Sequence, residues 1–249
     1  MYAEYINLSA LYTDSDGYNL IPDSLREEPD YSVDRFLEEK GISAKAGYEV
    51  SRLLNIDIQY NYFEDKRGEG EKIAAPLGKY RHFNTNFLGA KAYGNLGSLN
   101  YEVNTFYQKE NYYKIDERIK NGSYQRFDVN SDRIDKGANL NLSNYFNKTH
   151  ILSFGLEAKY SSVDGGDYYI TSPDSIVNSG KLQNMAVYLQ EELAFFSEKL
   201  RLQTGIRYDN VKFFDGMYES TDGAWTPYLP PLEEYIWSSV SPKIAISYE

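Results

Sequence analysis

Leu54, Ile56, Ile58, Tyr60 and Tyr62 alternate with Asn55, Asp57, Gln59 and Asn61, and this period of two returns in segment after segment of the chain. Leu99, Tyr101, Val103 and Tyr107 oppose Asn100, Glu102 and Asn104. Leu152, Phe154, Leu156, Ala158 and Tyr160 oppose Ser153, Gly155, Glu157 and Lys159. Leu200, Leu202, Ile206 and Tyr208 oppose Arg201, Gln203, Arg207 and Asp209. Successive side chains of a strand point to opposite faces, so each segment reads as a strand with one apolar and one polar face. The stretch 183–196 is less regular, because Glu191 falls on the face of Val187 and Leu189. One strand cannot say which face meets the interior. In a soluble protein the apolar face turns inward; in a membrane barrel it turns outward to lipid and the polar face lines the lumen.

About ten such segments lie near 2–13, 41–51, 53–64, 80–94, 99–114, 132–145, 149–161, 183–196, 199–213 and 237–249. Each is long enough to cross a bilayer as a tilted strand, which needs roughly 9–11 residues. Short turns are expected near Ser51–Arg52, Asn95–Ser98, Phe146–Thr149 and Ser197–Lys199. Long connections are expected near 14–40, 65–79, 115–131, 162–182 and 214–236. Long and short connections alternate, which sorts them to opposite ends of the sheet. Transmembrane β-barrels show this sorting, whereas compact soluble domains rarely carry structureless loops beyond ~12–15 residues. The 25 tyrosines fit the same picture. Tyr12, Tyr62, Tyr107, Tyr112, Tyr160 and Trp237 fall near the long-loop ends, and Tyr93, Tyr101, Tyr145, Phe195 and Phe196 near the short turns, as two interfacial belts would place them. Tyr-rich strands are also simply good strands.

The formal net charge of −11 supplies no basic face for nucleic acid. Cysteine is absent, which removes disulfides, zinc–thiolate sites and thiol nucleophiles. No stretch approaches the ~18 apolar residues of a membrane helix, so any span is made by strands. The start, "MYAEYINLSALY", lacks a basic region ahead of a continuous apolar core and already alternates like a strand, so no signal peptide is read there. One helix is expected in "DYSVDRFLEEKG", where Val33 and Leu37 are four apart and Lys40–Gly41 resembles a C-cap.

Three stretches then carry a family likeness. "VYLQEELAFFSEKLRLQTGIRYD" (Val187 to Asp209), "VSPKIAISYE" (Val240 to Glu249) and "INLSALYTDSDGYN" (Ile6 to Asn19) resemble, in order and spacing, strand–turn–strand units of TonB-dependent outer-membrane receptors. The resemblance implies an all-β, antiparallel up-and-down transmembrane β-barrel in which about ten strands belong to a larger barrel of the 22-stranded type. On this reading residues 1–249 form a partial barrel domain without plug or signal peptide, roughly the first half of the wall. The function it implies is energised uptake of a scarce nutrient chelate, by default a siderophore–iron complex, across the outer membrane of a Gram-negative bacterium. Outer-membrane lipid, a plug domain, TonB and a small-molecule chelate are the implied partners. A self-contained barrel of about ten strands (channel, adhesin or surface enzyme) and a soluble β protein stay open as alternatives.

Exposed aromatics on positioned loops are common ligand contacts. The candidates are Trp225, Tyr228, Tyr235 and Trp237 in the connection stiffened by Pro230–Pro231, with Tyr168 and Tyr169 in "GDYYI". Trp237 and Tyr235 fit an outer aromatic belt equally well. Arg201, Gln203, Arg207, Asp209, Glu157 and Lys159 are expected to face the lumen and, by the resemblance, the plug. No catalytic constellation is read: the two histidines, His82 and His150, are expected at opposite ends of strands, and no Gly-x-Ser-x-Gly elbow occurs. "TDSDG" (Thr13 to Gly17) does not complete a calcium loop and reads as a turn, so no metal or cofactor is assigned.

Overall fold

The computed structural model describes residues 4–26, 30–147, 149–221 and 232–248. Among the described residues ten strands form one sheet in chain order. They are β1 (Glu4–Ser15), β2 (Leu37–Ser51), β3 (Leu54–Gly68), β4 (Tyr80–Leu96), β5 (Leu99–Lys120), β6 (Ser123–Asn147), β7 (His150–Tyr169), β8 (Ser175–Phe195), β9 (Leu200–Ser220) and β10 (Tyr235–Tyr248). Every neighbouring pair is antiparallel, and the sheet is open, with β1 and β10 at its edges. The up-and-down, all-β architecture is the one expected.

The expected helix does not form. Leu37–Ser51 is strand, paired on one side with β1 and on the other with β3. A peptide that short is a marginal helix alone, and two ladders of interstrand hydrogen bonds outweigh its local preference.

The connections are also shorter than expected. Residues 115–131 are not a loop: β5 and β6 run on and meet at Asn121–Gly122. Those two residues have φ of 53° and 76°, the doubly left-handed geometry of a type I′ turn, for which Asn-Gly is a preferred pair. β7 and β8 likewise extend until only 170–174 separates them. The end opposite the short turns is thus raised mainly by strand overhang. β5 has 22 residues and β6 has 25, about twice what a bilayer requires. Longer connections remain at 16–36, 69–79 and 221–234.

The two faces differ as the alternation dictates. Ile58, Leu88, Met185 and Ile206 lie on strands in the middle of the sheet, yet are 52, 50, 49 and 52% exposed. Among the described residues the only buried hydrophobics are Ala75, Ile115 and Ala186. A contiguous apolar surface of this extent is not that of a soluble monomer.

This apolar band runs obliquely to the strands. Its last member toward the overhanging end is Tyr12 on β1, before Asp14, and Tyr208 on β9, before Asn210. From Tyr208 the register passes through Val187, Leu156, Leu140, Val103, Ala92, Ile56 and Tyr48 to Glu4, about eight residues short of Tyr12. A drift of about one residue per strand, with ~3.3 Å rise and ~4.8 Å strand spacing, tilts the strands by roughly 35°. Transmembrane barrels require ~35–45°. On β5 the band ends at Tyr107, so the last dozen or so residues of that strand stand beyond it.

Candidate functional site

The opposite, polar face carries a network built across strands. Lys91 Nζ is 2.6 Å from Glu102 Oε2. Asn104 donates to Glu102 at 2.7 Å and to Asn139 at 2.9 Å, and the Tyr188 hydroxyl donates to Asn141 at 3.0 Å. Arg207 bridges Glu157 at 3.0 Å and Asp209 at 2.9 Å. Lys159 pairs with Asp135 at 3.2 Å, and Arg201 with Glu192 at 3.1 Å beside the β8–β9 turn. Arg201, Gln203, Arg207, Asp209, Glu157 and Lys159 therefore share one face, and Arg207, Glu157 and Asp209 meet directly.

Glycine makes room on this face for rings that lie flat. A Cβ on Gly155 would stand 2.0 Å from the Tyr188 ring, and one on Gly47 would stand 2.1 Å from that of Tyr5. A missing side chain on one strand thus seats an aromatic from the next.

Above the band, the overhanging strands form a rim. On its polar-face side the Phe83 and Tyr112 rings are 4.7 Å apart and those of Phe127 and Tyr169 are 5.2 Å apart. The Arg118 guanidinium lies 5.5 Å over Phe127. Arg133 pairs with Glu110 at 3.1 Å, and Lys114 with Asp116 at 3.0 Å and Glu69 at 3.4 Å. Burial pushes the Asp167 carboxyl above its ordinary range, and the neighbouring Asp116 adds to this. At this level of the wall Arg133 and Lys114 are held by carboxylates, while Arg118, which makes no ion pair among the described residues, lies beside stacked aromatic rings, a local combination suited to a ring-bearing ligand with an anionic group.

The expected contact residues divide. Trp225 and Tyr228 lie outside the described residues. Tyr169 joins the rim, whereas Tyr168, its neighbour, points to the opposite face. Tyr235 and Trp237 stack at 5.9 Å. Trp237 is in register with Val211, Asn184 and Lys159, which places it on the polar face and outside an apolar-face belt. Tyr93, Tyr112 and Tyr145 also fall on the polar face, because strand parity, not height alone, decides which side a ring takes. Tyr12, Tyr62, Tyr107, Tyr160 and Tyr101 keep to the apolar side.

One residue that organises the rim had no signal in the sequence. Glu117 is 0% exposed. Its carboxylate accepts from the backbone N–H groups of Ile73 at 2.6 Å, Ala74 at 3.0 Å and Ala75 at 2.8 Å, and from the Tyr124 hydroxyl at 2.8 Å. The β3–β4 connection is thereby fastened to the β5–β6 hairpin. Burial pushes this carboxyl up, but the backbone donors and Tyr124 together outweigh it and hold it below the ordinary range. Lys79 adds ion pairs to Glu71 at 2.7 Å and Asp116 at 3.5 Å. The β1–β2 connection docks on the same loop: Lys72 N–H donates to Tyr31 O at 2.8 Å and Val33 N–H to Gly70 O at 3.1 Å.

His82 sits 3.1 Å from Glu64 toward the overhanging end, and His150 sits 2.8 Å from Glu191 beside a short turn, so the two histidines occupy opposite ends of the sheet. In the "TDSDG" stretch the Gly17 N–H donates to Ser15 Oγ at 3.1 Å, a local turn. Among the described residues no group of three or more His, Asp or Glu side chains is arranged to hold a metal.

The ferric preacinetobactin receptor BauA from Acinetobacter baumannii superposes with a TM-score of 0.69 at 12% identity, over 98% of this chain and 40% of its own. The ferric yersiniabactin uptake receptor FyuA from Yersinia pestis gives 0.70 at 12% identity, over 99% and 40%. The copper transporter OprC gives 0.73 at 13% identity, over 99% and 39%. The chain thus spans about two fifths of the length of these solved structures, and at such identity they show the shared fold alone. No curated protein matches the sequence. The model of the TonB dependent receptor-like β-barrel family matches residues 6–249, nearly the whole chain, and the protein belongs to that family.

Proposed function

We propose that this chain forms part of the wall of an outer-membrane receptor of a Gram-negative bacterium that imports a metal chelate, with its apolar face in lipid and its polar face lining the lumen. The observation that carries this reading is the exposed apolar band, whose slant across the sheet tilts the strands by roughly 35°, as a bilayer-spanning barrel requires. The edges of β1 and β10 would pair with further strands of a larger barrel, because unpaired backbone is not tolerated in hydrocarbon. Arg207, Glu157, Asp209, Lys159, Arg201 and Gln203 would face a plug domain, and energy would reach that plug through TonB. The ligand would be met at the rim, by Phe127, Tyr169, Arg118, Tyr235 and Trp237; Trp225 and Tyr228 are candidate contacts by sequence alone. Ferric siderophores are the favoured class, since two of the similar receptors are named for ferric siderophore complexes and the rim combines guanidinium with aromatic rings. No enzymatic role is assigned.

The test is uptake of radiolabelled ferric chelates by iron-starved cells expressing the protein, with and without TonB. Accumulation of one chelate that depends on TonB and falls at least about tenfold in an Arg118→Ala, Phe127→Ala variant supports the proposal. Equal accumulation in TonB-deficient cells would overturn active transport.

A further inference from the structure

On the apolar face, the first side chains past the band on β5 and β6 are both lysines. Lys109 follows Tyr107 by two residues, and Lys136 lies two residues beyond Ala138. Lys136 is in register with Tyr107 on one side and Tyr160 on the other, and Lys109 with Ile134. The two lysines are therefore diagonal neighbours on one face, with Cβ atoms roughly 7–8 Å apart. Lys136 Nζ stands 4.8 Å over the Tyr160 ring. Lys40, Lys91, Lys159, Lys181 and Lys212 all reach carboxylates. Lys109 and Lys136 make no ion pair among the described residues, although the chain has 37 acidic side chains to offer.

Directly below them the surface is hollowed. Thr105, Ala138 and Ala158 are small where Tyr107 and Tyr160 above and Leu140 and Leu156 below are large. A trough bounded by Tyr160 and Phe214 opens at Ala138 and Ala158 into a second one along Leu140, Leu156 and Val187. Lys136 lines the mouth with Lys109 diagonal to it, and hydrocarbon lines the floor, which matches a lipid with headgroup above and chain below.

We infer that this trough is a binding site for a single anionic phospholipid, its headgroup toward the overhanging end of the band. The headgroup phosphate lies between the Lys109 and Lys136 ammonium groups, and one acyl chain lies across Ala138 and Ala158 against Leu140 and Leu156. Small side chains let methylenes approach the backbone closely, and each contact gains dispersion energy without loss of ordering in long side chains. Tyr160 under Lys136 and Tyr107 opposite it sit at headgroup level, where amphipathic rings and cations collect. The site rests on the lipid-facing assignment proposed above, but adds a preference for charge and a position.

The experiment is native mass spectrometry of the detergent-purified protein titrated with phosphatidylglycerol, with phosphatidylcholine of the same chains, and with inorganic phosphate. One phosphatidylglycerol should bind in preference to phosphatidylcholine. A Lys109→Gln, Lys136→Gln variant should bind it roughly 10- to 30-fold more weakly. Ala138→Leu, Ala158→Leu should also weaken it by filling the trough, with heat-modified migration on gels showing that the variants are folded. Unchanged phosphatidylglycerol binding in the folded lysine variant would overturn the site. So would an equal loss on Lys40→Gln, which would indicate general charge attraction, or displacement of the lipid by millimolar inorganic phosphate. Failure of the membrane assignment has a separate signature: a folded monomer that needs no detergent.

Discussion

Replacing Glu117 by alanine removes the acceptor of three backbone N–H groups and one tyrosine hydroxyl at once. The side chain is fully buried, so these donors lose a partner where water enters only if the loop opens. Hydrogen bonds to a charged group contribute ~1.5–3 kcal/mol each, but a surface connection recovers part of this from solvent. About 1–1.3 kcal/mol for each of the three amides gives a local loss of ~3–4 kcal/mol. The β3–β4 connection, with the β1–β2 connection docked on it, would feel it, because the strands below are held by their own ladders. The assay is amide hydrogen exchange, which should accelerate at Ile73, Ala74 and Ala75 by roughly 10²–10³-fold while amides of the β6–β7 ladder stay unchanged. Glu117→Gln, which keeps an acceptor oxygen, should fall between. Wild-type exchange rates in the alanine variant would refute the clamp. Acid tests the same contact. The folded-state value of Glu117 is depressed, so its contribution is fully present above the ordinary carboxylate value of 4.5 and is lost as pH falls through the lower folded value. Protection at the three amides, corrected for intrinsic rates, should hold down to about pH 5 and decay below about pH 4.

Ile206→Lys, on the apolar face, should cost about 2–4 kcal/mol in denaturant unfolding from lipid vesicles, whereas Gln203→Lys, on the other face, should cost under ~0.5 kcal/mol. Equal losses at the two positions would reverse the assignment of the faces. Gly155→Val places a Cβ 2.0 Å from the Tyr188 ring and should cost ~1–3 kcal/mol in the same assay. Adding Tyr188→Ala should relieve part of that loss; a double variant no better than the single would show that the ring is not the obstacle. Arg207→Ala should change stability by under ~1 kcal/mol despite its two ion pairs, because the side chain is 36% exposed and such pairs are screened by solvent. A loss of several kcal/mol would mean that the network is drier than its exposure indicates.

The alternation of Leu54 to Tyr62 with Asn55 to Asn61 is a local property, and local properties are written in sequence. The face of each of Arg201, Gln203, Arg207 and Asp209 follows from it, because a one-residue slip would send every apolar side chain to the wrong side, whereas the up-and-down order of the strands was read from the sorting of the connections and the family resemblance. Where the strands stop was less legible. Asn121–Gly122 carried a hairpin signal inside a segment too polar to look like strand, since its side chains stand beyond the band and need not be apolar. The segment Asp30–Gly41 carried helical spacing at Val33 and Leu37, and from Leu37 on two neighbouring strands overrode it. Other features exist only in the folded chain. Glu117 meets Ile73, Ala74 and Ala75 across 42–44 residues, and its partners there are backbone amides that no side-chain pattern reveals. Tyr168 and Tyr169 are adjacent in sequence yet part to opposite faces, and the register of β6 with β7 alone decides which of them meets Phe127. Sequence determined the sheet and its two faces because burial period is a property of neighbours. Tertiary structure decided the rim because loop closure brings together groups whose mutual distance no local pattern encodes.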